Sequence, residues 1–305
     1  MDKGKQNGEL LLEDEALRDG LQMESRIFSL EEKLHLFRLL EGSGIKRIQV
    51  GSFVHPKIVP QMADTDELVR AIGRTEKTVV SALVLNEKGL DRALACGVGH
   101  LSMSVSASDT HSRKNAGKPA DEALDSMTEL IARAAGEGIL VRAGYQCSFG
   151  CVYEGVVDPD RVLEGVTRMA RAGAVEVNLA DTAGMANPRS VRRLSDRVIR
   201  ELPGASVSLH LHDTAGLGLA NMLAGFEAGV RIFDVAAGGL GGCPFVKGAA
   251  GNVPTEDAVN MFESMGIATG IDLEGVCRVV GMLEEKLGRS LPGRMSRVLT
   301  GAVDG

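Results

Sequence analysis

Apolar and polar positions along this chain alternate between two periods almost from end to end. Short runs rich in aliphatic and β-branched residues predict strands at 10–15, 45–52, 78–85, 100–106, 140–146, 174–180, 206–212 and 231–236. Between and after them, helical spacing of apolar residues predicts helices at 30–41, 64–72, 87–95, 121–135, 158–172, 188–200, 217–228 and 255–264. Eight strand–helix units are what a closed parallel barrel needs, so the expected fold class is α/β, a (β/α)8 TIM barrel. An amphipathic segment at 273–286 follows the eighth unit and is expected to pack outside the barrel as an additional C-terminal helix. Gly42, Gly97, Gly136, Gly173 and Gly229 stand where helices should end and are expected to take left-handed backbone angles. A doubly wound open sheet shares the βα alternation, but no G-x-G-x-x-G turn follows the first strand. With no linker or break in composition, residues 1–305 read as a single TIM-barrel catalytic domain, with a polar tail at 1–9 and the extra helical segment at 270–305.

Composition narrows the function classes. At 44% hydrophobic and 25% charged, the 305 residues can bury a large core. No apolar run reaches the roughly 18 residues a membrane span requires, and the polar opening lacks a signal peptide's apolar stretch, so a cytoplasmic protein without membrane contact is expected. The net charge of −7, scattered arginines, two tyrosines and no tryptophan argue against a nucleic-acid partner. Five cysteines in such a compartment are expected as free thiols, and the three residues between Cys147 and Cys151 do not make a C-x-x-C metal or redox pair.

The chemistry concentrates at the ends of strands. His210 and His212 lie two apart on the seventh strand, so both rings face inward and can share a metal; two core histidines are the bland alternative. Arg18 and Asp19 follow the first strand, at the same end of a barrel. They make either a surface ion pair or a carboxylate that extends the imidazole pair toward a divalent-cation shell. After the eighth strand, residues 237–252 carry a dense glycine cluster, read as a flexible surface loop or as a lid over the active face, with Cys243 near its tip and Asn252 at its far end. An Asn oxygen beside Asp and two His favours Mg2+ or Mn2+ as the single divalent cation, with Zn2+ and Co2+ also compatible.

The motifs Arg18-Asp-Gly-Leu-Gln22, residues 52–62, His210-Leu-His-Asp-Thr214, Gly239-Leu-Gly-Gly-Cys-Pro244 and Ala250-Gly-Asn252 together resemble the 3-hydroxy-3-methylglutaryl-CoA lyase family, from about residue 10 to residue 287. That family belongs to the metal-dependent TIM-barrel lyases related to isopropylmalate and homocitrate synthases. The resemblance implies that Asp19, His210, His212 and Asn252 hold the cation, that Arg18 faces the thioester carbonyl, and that Cys243 closes over substrate on the lid. It also implies Asp181 as an active-site carboxylate, with His210 a further candidate for moving protons, and Glu256 as structural support nearby. Gln22, Gln49 and His111 are expected to border the substrate, although an exposed loop position is the preferred reading for His111. The implied activity is cleavage of 3-hydroxy-3-methylglutaryl-CoA, or a close 3-hydroxyacyl-CoA analogue, to acetyl-CoA and a keto acid, acetoacetate. The expected partners are a small acyl-CoA substrate and a second copy in a homodimer.

Some positions depart from the family pattern. A glutamate usually stands where this chain has Gln49, His55 replaces a small polar residue, and Ser25 replaces a lysine. The amide removes a charge and adds two donors, which bears on the preferred substrate. Lys57, Arg113, Lys114 and Lys247 are candidates for CoA phosphates, none singled out. Two other functions remain open at this point: a synthase condensing an acyl-CoA with an α-keto acid, opposed by the glycine loop and the short C-terminus, and a catalytically altered barrel that only binds metal or acyl-CoA.

Overall fold

The computed structural model describes residues 8–242 and 251–301. Its strands are β1 Leu11–Asp14, β2 Arg47–Ser52, β3 Val79–Val84, β4 His100–Ser106, β5 Leu140–Gln146, β6 Glu176–Asp181, β7 Ser206–Leu211 and β8 Ile232–Val235. All eight pair in parallel and in chain order, and β1 pairs with β8 to close the expected barrel. The surrounding helices are α1 Leu30–Gly42, α2 Thr65–Ile72, α3 Glu87–Cys96, α4 Asp109–Ala116, α5 Ala120–Gly136, α6 Pro159–Arg171, α7 Pro188–Glu201, α8 Gly218–Ala228 and α9 Thr255–Ser264. Two more, α10 Leu273–Leu287 and α11 Met295–Gly301, follow the eighth unit, and α10 packs against α1. No helix among the described residues is long and apolar enough to cross a membrane.

Local chemistry explains most boundaries. Ser29 and Glu32 form a reciprocal cap on α1, Asn187 and Ser190 do the same for α7, and proline opens α6 and α7 where its missing N–H costs nothing. One expectation fails after β4. Residues 109–116 form α4 instead of a loop, because the Ser108 hydroxyl accepts from the backbone N–H of His111 and starts a helix. Two glycines are also corrected. Gly97, Gly173 and Gly229 have the left-handed angles, but Gly42 and Gly136 end as helical residues, and the chain reverses at Gly44 and Gly138. The β6 strand starts later than expected, since Ala174 is still bonded back to Met169 in the turn after α6, and it runs on to Asp181.

Strand alternation divides each β-segment into an apolar row and a polar row. Val141, Ala143 and Tyr145, or Val207, Leu209 and Leu211, are buried among the aliphatic core residues. The other row faces the lumen, and branched aliphatics, the usual filling of such a barrel, are replaced there by ion pairs. Arg47 binds Glu176 with two bonds of 2.8 and 3.0 Å and reaches Glu13 at 2.6 Å. Arg142 bonds Glu13 at 2.5 Å, Asp234 at 2.8 and 2.6 Å, and Glu15 at 3.1 Å. Burial works against ionising Glu13, but Arg142 and Arg47 outweigh it and hold the carboxyl far below its ordinary range. His100, bonded to Ser81, is pushed down to about 4 by burial and by the charge of Arg47, and so stays neutral.

Such pairs give little net stability because each ion loses several kcal/mol of hydration, yet breaking one leaves an uncompensated charge in the interior. Arg142 is the common cation of Glu13, Glu15 and Asp234. Replacing it by methionine, which keeps much of the volume, is predicted to destabilise the fold by roughly 3–5 kcal/mol in chemical unfolding followed by circular dichroism. A variant as stable as the parent would show that the lumen tolerates unpaired carboxylates.

Candidate active site and metal centre

The inward row of β7 ends in His210 and, one residue beyond the strand, His212. Their Nε2 atoms face each other at 3.0 Å. Two donors each about 2.1 Å from one ion and at right angles to it stand about 3 Å apart, so this spacing suits a shared cation. Asp234 on β8 fixes the first ring by accepting from His210 Nδ1 at 3.1 Å, which turns Nε2 toward the mouth of the barrel. Burial opposes protonation of His210, but the hydrogen bond to Asp234 and the charges of Glu15, Asp234 and Asp19 raise its pKa overall. His212 goes the other way: burial and the neighbouring His210 lower it to about 4. His212 therefore offers a neutral nitrogen at any physiological pH.

Asp19 arrives from the opposite direction. After β1 the chain makes one wide π-helical turn, Ala16–Gly20, tied by Arg18 and Gly20 N–H groups donating to the Glu15 carbonyl at 3.0 and 3.1 Å. The turn sets the Asp19 carboxylate so that it, His210 and His212 each offer a donor atom within 4.8 Å of the others. Burial disfavours the Asp19 charge, but Arg18 first, then both histidines and a hydrogen bond from Asn252, hold the carboxyl well below its ordinary range.

Asn252 is brought in by backbone pairing. Residues 251–254 run beside the ends of β7 and β8: Asp213 N–H donates to Gly251 O at 2.8 Å, Asn252 bridges His212, and Ala236 N–H donates to Val253 O at 3.1 Å. Asn252 Nδ2 donates to Asp19 Oδ2 at 2.8 Å and to Leu240 O at 3.0 Å, and Oδ1 is buried with no partner among the described residues. The glycines of this segment make the approach possible. A Cβ on Gly241, whose φ is 101°, would fall 2.5 Å from Asn252 Nδ2 and 3.0 Å from Asp19 Oδ2. One on Gly251 would meet the Gly241 carbonyl at 2.1 Å. The donors present, one carboxylate, two imidazole nitrogens and an orphaned amide oxygen, fit a divalent cation.

The other expected residues fall into distinct places. Arg18 is buried beside Asp19, with Nε on Gln49, Nη1 on Asp19 and Nη2 on Glu15. Gln49 is fully buried, and its own amide donates to Glu15 at 2.9 Å, so both ends of that side chain are engaged within the protein. Asp181 accepts from the N–H groups of Met185 and Ala186 at 2.8 and 3.1 Å through Oδ1, leaving Oδ2 without a partner among the described residues. Burial raises its pKa to about 6, against those two bonds and the pull of His210. Gln22 is half-buried with its Oε1 unpartnered among the described residues. His111 is not an exposed loop residue: α4 buries it, its ring lies 2.9 Å from Asn115 Nδ2, and burial lowers its pKa. Glu256 accepts from Gly238 N–H at 3.0 Å, and burial raises it to about 8, in keeping with structural support. The four described cysteines are free, and burial pushes Cys147 up to about 12. Cys243 and Lys247 lie outside the described residues.

Sequence reading missed three residues at this site: Glu15, Asp234 and Arg142. A signal was present in each case, a charged residue at an inward register of an otherwise aliphatic strand, as in Leu-Leu-Glu-Asp-Glu15 and Ile-Phe-Asp234-Val.

Comparison with known proteins adds an independent line. The HMGL-like family model matches residues 9–283. The chain is 37% identical over 281 residues to the hydroxymethylglutaryl-CoA lyase YngG of Bacillus subtilis, covering 92% of this chain and 94% of that one. It is 36% identical over 294 residues to the (R)-citramalyl-CoA lyase of Chloroflexus aurantiacus, covering 93% of both. Among solved structures, a lyase for HMG-CoA from Acinetobacter baumannii in complex with coenzyme A and 3-methylmalate superposes with a TM-score of 0.89 at 37% identity, over 95% of this chain and 94% of that one.

The opposite pKa shifts of the two histidines yield a prediction. Near its ordinary value of 6.5, His210 is largely protonated before an ion arrives, so cation binding must displace its proton, while His212 has none to lose. Calorimetric titration with Mn2+ in two buffers of different ionisation enthalpy should show proton release at pH 6.5 that shrinks as pH rises. Heats independent of buffer would remove His210 from the ligand set.

Proposed function

The chain belongs to the HMGL-like family, and from that membership we propose that it is a divalent-cation-dependent carbon–carbon lyase acting on 3-hydroxy-3-methylglutaryl-CoA or a close 3-hydroxyacyl-CoA. The products are acetyl-CoA and a keto acid, acetoacetate from the methylglutaryl substrate. The observation that carries this reading is the convergence of Asp19, His210, His212 and Asn252 at the carboxyl ends of the strands, where barrel enzymes keep their chemistry. Curated relatives covering more than nine-tenths of the chain carry lyase names, which does not favour a condensing synthase or a retired barrel. The same reading takes residues 1–305 as one catalytic domain, in the cytoplasm and as a homodimer. It takes Mg2+ or Mn2+ as the cation, because Asp19 and Asn252 supply hard oxygens.

When bound, the cation lowers the pKa of the substrate's tertiary hydroxyl and fixes its orientation. Asp181 is the base that takes the hydroxyl proton: two backbone N–H groups hold one of its oxygens, the other is open, and a pKa near 6 leaves it ionised yet basic at neutral pH. As the hydroxyl becomes a carbonyl, the carbon–carbon bond breaks and its electron pair moves to the thioester fragment as an enolate. Arg18 supplies the fixed positive charge for the enolate oxygen, its guanidinium locked by three acceptors before substrate arrives. Cys243 on the glycine loop is the expected proton donor to the enolate carbon. Gln22 is read as a substrate contact, while Gln49 acts through Arg18 and His111 stabilises α4.

The decisive assay incubates the Mn2+-loaded protein separately with 3-hydroxy-3-methylglutaryl-CoA and with citramalyl-CoA and identifies the products. Acetoacetate plus acetyl-CoA from the first places the enzyme on the methylglutaryl substrate, and pyruvate plus acetyl-CoA from the second alone moves it to the analogue. No cleavage of either would refute the lyase reading for these substrates. Asp181→Asn should lower kcat at least about 100-fold. In the parent enzyme, kcat/KM should fall as pH drops through about 6, where the carboxylate takes up a proton, and this acid limb should be missing from the residual activity of the variant.

A further inference from the structure

Glu15, one residue past β1, is fully buried, and its carboxylate sits where several groups of the site meet. One oxygen, Oε2, accepts from Arg18 Nη2 and lies 3.6 Å from His210 Nδ1. The other, Oε1, accepts from Gln49 Nε2 at 2.9 Å and from Arg142 Nη2 at 3.1 Å. A carboxylate with this many charged and polar partners, touching both the candidate oxyanion donor and a candidate cation ligand, is more than lumen filling.

The partition of the Arg18 guanidinium shows what it does. Nη1 pairs with Asp19, the carboxylate that a cation needs, and Nη2 pairs with Glu15 on the other side. Two positive charges compete for Asp19 whenever a cation approaches. Without the Glu15 carboxylate, Asp19 would be the one carboxylate among the described residues still hydrogen-bonded to the guanidinium, and charge-assisted bonds are about twice as strong as neutral ones. Arg18 would then follow Asp19, cover its oxygens and leave the position from which it meets an enolate. We propose that Glu15 is a positioning residue that holds the Nη2 side of the Arg18 guanidinium and so limits its grip on Asp19 to Nη1, keeping Asp19 available to the cation and Arg18 aimed at the thioester oxygen. Asp234 shares the support of His210 from the same side.

Gln49 is the neutral counterpart of this arrangement. Its amide oxygen accepts from Arg18 Nε while its nitrogen donates to Glu15, so the carboxylate on strand one and the amide on strand two are neighbours on one guanidinium. Exchanging them keeps one carboxylate and one amide in this pair beside Arg18.

The kinetic part of this inference rests on the lyase reading, whereas the cation-binding part does not. In Glu15→Gln, the Mn2+ dissociation constant measured by calorimetry is expected to rise at least about tenfold, and kcat to fall about 10–100-fold with KM nearly unchanged. The exchanged double variant Glu15→Gln/Gln49→Glu should recover most of both losses, which a merely space-filling role for Glu15 would not produce. Mn2+ affinity within about threefold of the parent in Glu15→Gln, or no recovery in the double variant, overturns the inference. Should Glu15→Gln fail to fold, the double variant decides: parent-like Mn2+ affinity supports the role, and a loss of about tenfold or more rejects it. A parent protein that binds Mn2+ without cleaving either thioester would refute the lyase reading alone, since the Mn2+ comparison still judges Glu15.

Discussion

The mouth of this barrel is held in place by charges that cannot reach water. Arg142 binds carboxylates from the first and eighth strand segments at once, and two of those, Glu15 and Asp234, go on to contact Arg18 and His210. Each carboxylate in the lumen is expensive to bury, and Glu13 stays ionised because Arg142 and Arg47 face it. The consequence is directional. Aliphatic side chains would fill the lumen too, but they would lack the hydrogen bonds through which Glu15 and Asp234 hold Arg18 and His210.

That constraint explains how residues more than 230 positions apart in the chain act together. The parallel closure of β1 on β8 puts Glu15 next to Val235 in the ladder, and the Asp19 turn rises from there. The backbone bridge between His212 and Asn252 fixes the far side of the same site. Gly241 lets the start of the glycine loop pass over both, because no side chain stands in the way. The pKa values of the two rings shift in opposite directions although they are in contact, since Asp234 faces the second nitrogen of His210 while burial and His210 itself act on His212.

Much of this was legible in the chain itself. The βα period gave eight strands and the barrel, since side chains at alternate positions reveal the apolar outer row, and His210, His212 and Asp19 were readable as candidate ligands from strand-end position. Helix α4 was not, because its polar sequence carries no apolar stripe and its start depends on one capping hydroxyl at Ser108. Nor were Glu15 and Asp234 assigned a role, as a lone acidic residue in a strand does not say which strands will stand across the lumen from it. The resemblance drew attention to Gln49 as a missing carboxylate. Only the packing shows a carboxylate one strand away, on the same guanidinium.

Two groups in the described residues have the donors for an ion: Asp19 with His210 and His212, and, deeper, Glu15 with His210 and Asp234. The account requires the first, because the second is already balanced by Arg18 and Arg142. Anomalous diffraction from crystals grown with Mn2+ distinguishes them directly. A single peak in coordinating reach of Asp19, both imidazoles and the Asn252 amide oxygen is the predicted result, and a peak between Glu15 and Asp234, or none at the barrel mouth, would contradict it.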